Sequence, residues 1–238
     1  FAKSENEELK AYEKLISEHK IENIVLQNIK TNDKRIDILN NYKINYVAWG
    51  KTKDKRNYSW VDLDNDNAIE VIINYLIKKN HTHIAYINIS EKYNFANERK
   101  SSFLKNLKLN KINFNPNYYA SVKLEEPENS FEVIKKMLTK NKKISAIICS
   151  TEFSALSAIK ACNNLNYKIG KDISIITFDG ALVRDLSSPP ITAVSFPVKE
   201  LGKRAINILL DKNKNKNQSI NYLAKSEIIE RGSVHIVN

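Results

Sequence analysis

Residues 146–178 read AIICSTEFSALSAIKACNNLNYKIGKDISIITF. Ala146, Ile147, Ile148 and Cys149 form a short continuous apolar run bounded by polar residues, the pattern of a strand buried on both faces. A helical stretch over 152–164 follows, and a second buried strand runs from Ile173 to Phe178. A helix of ten or more residues between two such strands is the connection of a parallel βαβ unit. Such a unit winds right-handed and lays its helices over the faces of a sheet.

The same alternation extends in both directions. Toward the N-terminus, Leu9, Tyr12, Leu15 and Ile16 mark a helix over 4–18, and Ile24, Val25 and Leu26 a buried strand. A short helix near 33–41, a strand at Tyr46–Trp49 closed by Gly50, and a strand over Tyr58–Leu63 come next. Ala68, Val71, Ile72, Tyr75 and Leu76 recur at helical spacing behind the capping residues Asp64 and Asn65. Strands at 84–87 and 118–122 and helices at 96–109 and 129–139 complete the approach to residue 146. Beyond 178, Pro189, Pro190 and Pro197 interrupt the series before a helix at 198–210. The Lys-Asn run 212–217 reads as a solvated loop, and a last strand as spanning 222–229. So many βαβ units fit two sheets better than one.

The composition agrees. With 238 residues, 27% charged and 42% apolar, the chain has the make-up of a globular bilobed unit and not of a disordered segment. Its longest apolar runs are far shorter than the roughly 20 residues that cross a bilayer, and no leader pattern precedes the first helix. The chain opens with Phe1 rather than Met, so the lack of a leader carries little weight. Net charge is +11, yet only six of the 38 basic residues are arginine, at 35, 56, 99, 184, 204 and 231. Phosphate and base recognition leans on the planar arginine fork, so this diffuse lysine excess reads as solvated surface. Cys149 and Cys162 stand in apolar surroundings and read as buried, reduced thiols. Glycine occurs only five times.

Catalytic patterns are poor. His81 and His83 have no Cys or carboxylate at metal-ligand spacing and read as turn residues. Asp62, Asp64 and Asp66 alternate, but the glycine and terminal glutamate of a calcium loop are absent, so strand-end and capping roles are expected. Phosphate-loop, dinucleotide and nucleophile-elbow motifs are all lacking, and no cofactor is implied. Ligands of parallel sheets bind beyond the carboxyl ends of the strands, and Gln27, Trp49, Ser150, Thr151 and Asp179 hold those positions. Arg99, in the first turn of the helix after the 84–87 strand, adds a five-donor fork, with Phe95 one turn before it. Directional polar groups beside flat aromatics suit a sugar, whose hydroxyls need hydrogen bonds while its ring face packs on an aromatic.

Several segments together resemble the effector domain of the LacI/GalR-type bacterial transcriptional regulators, which is periplasmic-binding-protein-like. They are Asp64-Asn65, Tyr75-Leu76-Ile77, the stretch Asn80 to Ile87, Glu98-Arg99 with Phe103, Ala146 to Cys149, Asp172 to Asp179, Pro189 to Val194, Pro197, Glu200-Leu201-Gly202 and Arg231-Gly232-Ser233. They fall in the family's order over nearly the whole chain. The family's glycines before His81, Phe103 and Phe178 are here Asn80, Ser102 and Thr177, and its Asn-Asp after the 146–149 strand is Thr151-Glu152.

The resemblance implies two doubly wound parallel-sheet lobes joined by three crossovers, with a ligand cleft between them. The first lobe is expected over 1–89 plus 197–220 and the second over 90–196 plus 221–238. It places Gln27 and Trp49 on the first-lobe wall, Phe95, Arg99, Thr151 and Asp179 on the second, Phe196 at a crossover, and Glu126 as a further ligand residue. It implies a cytoplasmic homodimer that binds a small-molecule effector, a sugar or similar molecule, with no membrane association. Operator DNA would be bound through a helix-turn-helix headpiece which, like the first strand-helix unit, lies outside this sequence. An exported solute-binding protein of a sugar uptake system shares the fold and is the alternative; the segment from Pro189 to Gly202 and the Arg231-Gly232-Ser233 ending favour the regulator. An enzyme on such a scaffold finds no nucleophile-base or metal set here.

Overall fold

A computed structural model describes residues 2, 4–54, 56–123, 129–178, 180, 187–211 and 219–237. In chain order its elements are α1 (Glu5–His19), β1 (Asn23–Leu26), α2 (Lys34–Asn41), β2 (Asn45–Trp49), β3 (Trp60–Leu63), α3 (Asn65–Lys78), β4 (Ile84–Ile89), α4 (Asn94–Leu109), β5 (Tyr119–Val122), α5 (Asn129–Lys140), β6 (Ala146–Cys149), α6 (Glu152–Asn164), β7 (Ser174–Phe178), β8 (Thr192–Val194), α7 (Val198–Leu210), β9 (Asn221–Ala224) and β10 (Ile228–Ile229). They divide into two compact units. The first comprises Phe1–Leu63, Lys92–Phe95 and Pro197–Ala224, and the second Asp64–Glu91, Ala96–Phe196 and Lys225–Asn238.

The first unit is built on a four-stranded sheet in the order β1-β2-β3-β9, parallel throughout. Side chains of a strand alternate between faces. Tyr46 and Ala48 of β2 therefore join Ile16 of α1, Leu26, Ile29, and Ile36 and Leu39 of α2 in one cluster. α7 packs on β1, β2 and β3, burying Leu201, Ala205, Ile208 and Leu209 at helical spacing. Residues 92–95 belong here because their backbone is tied to the loop after β1: Thr31 N–H donates to Lys92 O (2.8 Å) and Asn94 N–H to Ile29 O (3.0 Å).

The second unit holds a six-stranded sheet in the order β10-β8-β7-β6-β4-β5. All its pairings are parallel except β10 with β8. Every residue of β4, β6 and β7 is buried, as befits largely apolar strands covered on both faces, with Asn88, Ser174 and Thr177 the polar residues among them. Cys149 and Cys162 are free and buried, and burial pushes the Cys162 thiol up to about 12.

Four features depart from the sequence expectation. The second unit begins at Asp64 and not at 90, because β4 pairs with β5 and β6. The stretch 222–229 is two strands: β9 closes the first sheet, and after Lys225, Ser226 and Glu227 the chain joins the second sheet as β10. β8, three residues between prolines, is a strand the pattern does not announce. The second sheet is also mixed, since β10 runs antiparallel. The 212–217 loop lies outside the described residues. Asp64 does cap α3, its carboxylate accepting from Asn67 N–H at 3.0 Å.

Scarce glycine leaves a visible trace at the helix ends. Lys43, Asn80, Lys111 and Asn166 have φ between 55° and 64°, the left-handed conformation that usually falls to glycine. Each is followed by an N–H that closes back over the last helical turn: Ile44 to Leu39 O, His81 to Leu76 O, Ile112 to Leu107 O and Tyr167 to Cys162 O, at 2.9–3.0 Å. The glycine expected before His81 has thus been replaced without loss of the turn it makes.

Candidate functional site

At the carboxyl ends of β6 and β7, α4 presents Arg99, only 6% exposed. Its Nε donates to Asn65 Oδ1 at 2.7 Å, and Nη1 donates to the carbonyl of Ser150, the residue after β6, at 3.3 Å. The guanidinium carbon lies 3.5 Å from the ring centroid of Phe178, the last residue of β7. A cation over an aromatic face is attracted by the ring quadrupole, most strongly where water is excluded. Asn65 is 1% exposed and donates from Nδ2 to Glu98 Oε2 at 3.2 Å.

A hydrogen-bonded network, neutral at Tyr86, Asn88 and Ser150, lies beneath Arg99. Tyr86 Oη meets Ser150 Oγ at 2.8 Å and donates to Asn88 Oδ1 at 3.1 Å. Asn88 Nδ2 donates to Ala96 O and to Tyr119 Oη, and Tyr119 Oη donates to Glu91 Oε1, which also pairs with Lys100 at 2.7 Å. Burial pushes the Tyr86 phenol up to about 12 against the opposing pull of Arg99, so it stays a neutral donor. The arrangement sets fixed donors and an aromatic face at the strand ends and, among the described residues, contains no nucleophile beside a base. Among the described residues no group of three or more His, Cys, Asp or Glu is arranged to hold a metal ion.

The remaining sequence candidates fall in both units. Thr151 is half-buried and caps α6, its Oγ1 accepting from Ser154 N–H at 3.1 Å. Beside it a small pocket is lined by Ile89, Val122, Lys123, Ser130, Thr151, Phe153 and Ser154. The Oγ of Ser130 in this pocket is buried with no protein partner. Trp49 ends β2 in the first unit, its ring over Gly202 of α7. Gln27 is exposed after β1, and its carbonyl accepts from Arg35. Phe95, expected with the second unit, belongs to the first, where its ring stacks on Tyr93 at 6.0 Å. Phe196 is half-buried at the last position before the chain returns to the first unit. Asp179 and Glu126 lie outside the described residues.

Asn65 and Phe178 are the partners that the sequence reading of strand-end and ligand residues omits, whereas Ser150 is among its strand-end positions. Asn65 reads as a helix opener and Phe178 as the end of an apolar run. Their shared partner is separated from both by tens of residues, so no local pattern links them.

Comparison with known proteins gives this arrangement a family. Residues 73–234 match the periplasmic binding protein-like domain. The regulator RegA of Clostridium saccharobutylicum is 27% identical over 232 residues, covering 95% of this chain and 69% of that protein. The repressor PurR of Proteus mirabilis is 25% identical over 232 residues, covering 94% of this chain and 67% of that protein. Both are described as HTH-type transcriptional regulators. Among solved structures, a LacI-type regulator from Bacillus cereus subsp. cytotoxis superposes with a TM-score of 0.91 at 24% identity, over 100% of this chain and 84% of that one. A CelR–cellobiose complex superposes with a TM-score of 0.84 at 16% identity, over 97% and 71%. Among the described residues no helix is long and apolar enough to cross a membrane. The chain belongs to the periplasmic binding protein-like domain family, as the effector-binding domain of LacI-type transcriptional regulators.

Proposed function

We propose that this domain binds a sugar, or a small molecule similarly rich in hydroxyls, with Arg99 as the central hydrogen-bonding group. Binding then alters operator recognition by a cytoplasmic, homodimeric parent protein through a headpiece outside this chain. The observation that carries the reading is the placement of Arg99: a nearly buried guanidinium, clamped by Asn65, Ser150 O and the Phe178 ring, at the strand ends where parallel sheets bind ligands. Thr151, Asp179, Phe95, Phe196, Trp49, Gln27 and Glu126 are proposed to complete the contact set. Cellobiose is held by the CelR neighbour, which supports the ligand class and not the particular sugar.

Ligand that binds only the folded state stabilises it by about 2.7 kcal/mol at a hundred times its dissociation constant. Thermal unfolding against a panel of mono- and disaccharides is therefore expected to single out at least one sugar that raises the melting temperature. Arg99→Ala removes that rise. A panel without effect, or a rise that survives in the variant, overturns the ligand class or the site respectively. Sedimentation of the domain as a monomer at micromolar concentration overturns the homodimer.

A further inference from the structure

We propose that Asn65 is a positioning residue for effector recognition: its side-chain amide sets the direction of the Arg99 fork while the Phe178 ring sets its plane. This rests on Arg99 being the effector-binding group. A guanidinium is planar and rigid, so its orientation is fixed once one N–H direction and the plane are fixed. The 2.7 Å bond from Nε to Asn65 Oδ1 supplies the first constraint, and the 3.5 Å approach to the Phe178 centroid supplies the second.

Asn65 is itself held firmly enough to act as a template. It is 1% exposed and opens α3 directly after the Asp64 cap, and its Nδ2 is engaged by Glu98, the neighbour of Arg99 on α4. Because Nδ2 donates to a carboxylate, the amide can face Arg99 only with its oxygen. The acceptor is also neutral. A carboxylate at this position would fix the same N–H but place a full negative charge against the fork, and a glutamate already lies on the other side. A side chain held in its binding geometry before ligand arrives loses less rotamer freedom on binding.

A purely structural role, joining α3 to α4, is the competing explanation. Other contacts already make that join: Ser102 Oγ donates to Asp66 O at 2.9 Å, and Lys105 pairs with Asp66 at 3.0 Å. Asn65→Ala is therefore expected to fold.

The test measures dissociation constants for whichever of glucose, galactose, ribose, maltose and cellobiose stabilises the domain most, alongside hydrogen exchange of the Arg99 Nε–H by NMR. Asn65→Ala is expected to weaken binding about 3- to 10-fold and to speed exchange at Nε. It is expected to add nothing to Arg99→Ala, because the two act through one group. Asn65→Asp combined with Glu98→Gln keeps an acceptor facing Nε and removes the neighbouring carboxylate, and is expected to return Nε protection close to wild type but affinity only in part, because the new carboxylate sets its charge against the fork. Unchanged affinity and protection in Asn65→Ala, with binding lost in Arg99→Ala, overturns the positioning role alone. Binding that survives Arg99→Ala overturns the recognition reading and this inference with it. If none of the five sugars binds, the sugar reading fails, and an Nε–H still protected in Asn65→Ala overturns the positioning role independently.

Discussion

Apart from Arg99 in the second, the two units differ in the polar groups they bury. In the first, the interior is ionised: Arg35, 5% exposed, grips both oxygens of fully buried Asp33 at 2.8 and 2.6 Å and reaches Glu8 at 3.0 Å and the carbonyls of Gln27 and Asn28. Lys30 pairs with the same Glu8 at 2.7 Å. In the second, two large polar clusters are neutral. One is the Tyr86, Asn88 and Ser150 network. The other surrounds His81, whose Nδ1 meets Ser145 Oγ at 2.9 Å and whose Nε2 meets Ser174 Oγ and the His235 carbonyl at 3.0 Å. Both solutions fasten loops and tail to a sheet. An ionised interior resists acid as long as its carboxylates stay charged, whereas a neutral imidazole becomes a liability once it must take a proton.

Removing one member of a buried ion pair leaves the other uncompensated, at a cost of about 3–5 kcal/mol. Arg35→Ala is accordingly expected to cost that much, and to do so in the first unit. Both tryptophans, Trp49 and Trp60, lie in that unit, so their fluorescence follows it alone. The variant should lower the denaturant midpoint of the tryptophan transition while hydrogen exchange in β4, β6 and β7 changes less. Equal loss in both units would mean that they unfold as one, and the comparison would break.

Acid separates the units in the other order. Burial pushes the His81 imidazole down to about 4 from its usual 6.5, and burial also lowers His235, against the opposing pull of Asp172. The unfolded chain then binds a proton that the folded one refuses. Stability present above pH 6.5 is lost as pH falls toward 4, about 3 kcal/mol for His81. Burial alone would raise the Asp33 carboxyl, but its hydrogen bonds and the Arg35 charge outweigh this and hold it below the usual range. Its contribution is lost only as pH falls below about 3.8. Between pH 6.5 and 4 exchange should therefore rise in the second unit while tryptophan emission stays constant. A tryptophan transition that comes first would reverse the assignment.

These interiors also show what a sequence displays and what it conceals. The apolar runs in β4, β6 and β7, among them Ile84–Ile87 and Ala146–Cys149, announce themselves because strands covered on both faces need no alternation. β8 does not, since Thr192, Ala193 and Val194 are too few to form a pattern. The split between β9 and β10 is hidden because Lys225, Ser226 and Glu227 look like the polar positions of one strand, although the chain changes sheets there. Arg99 is legible as a fork near a strand end. Asn65 is not, because its role depends on how α3 lies against α4, and neither is the burial of His81, which comes from a tail 154 residues away.

A smaller effect tests whether the neutral network is cooperative. Tyr86→Phe deletes one hydroxyl, but Ser150 Oγ keeps its 2.9 Å bond to Asn88 Oδ1, so no group is orphaned. The expected cost is about 1 kcal/mol, the usual value of one hydrogen bond. It should appear as faster exchange in β4 with no change in tryptophan emission. A loss near that of Arg35→Ala would show the network to be as indispensable as the ion cluster and would erase the contrast between the units.

The smallest expected change is a gain, and it should ignore the contrast altogether. Lys43 in the first unit and Lys111 in the second are exposed and share a left-handed φ, 55° and 57°. An L-residue bears about 1–2 kcal/mol there, from which glycine's greater freedom in the unfolded chain subtracts about 0.5–1 kcal/mol. Lys43→Gly and Lys111→Gly should each stabilise by about 0.5–1 kcal/mol, whichever interior lies beneath them. Asn80→Gly should gain less, because asparagine tolerates this conformation and its Nδ2 also donates to Val237 O at 2.9 Å. If the two lysine variants differ by more than they gain, the helix ends are not local, and the interiors of the two units reach further than their hydrogen bonds.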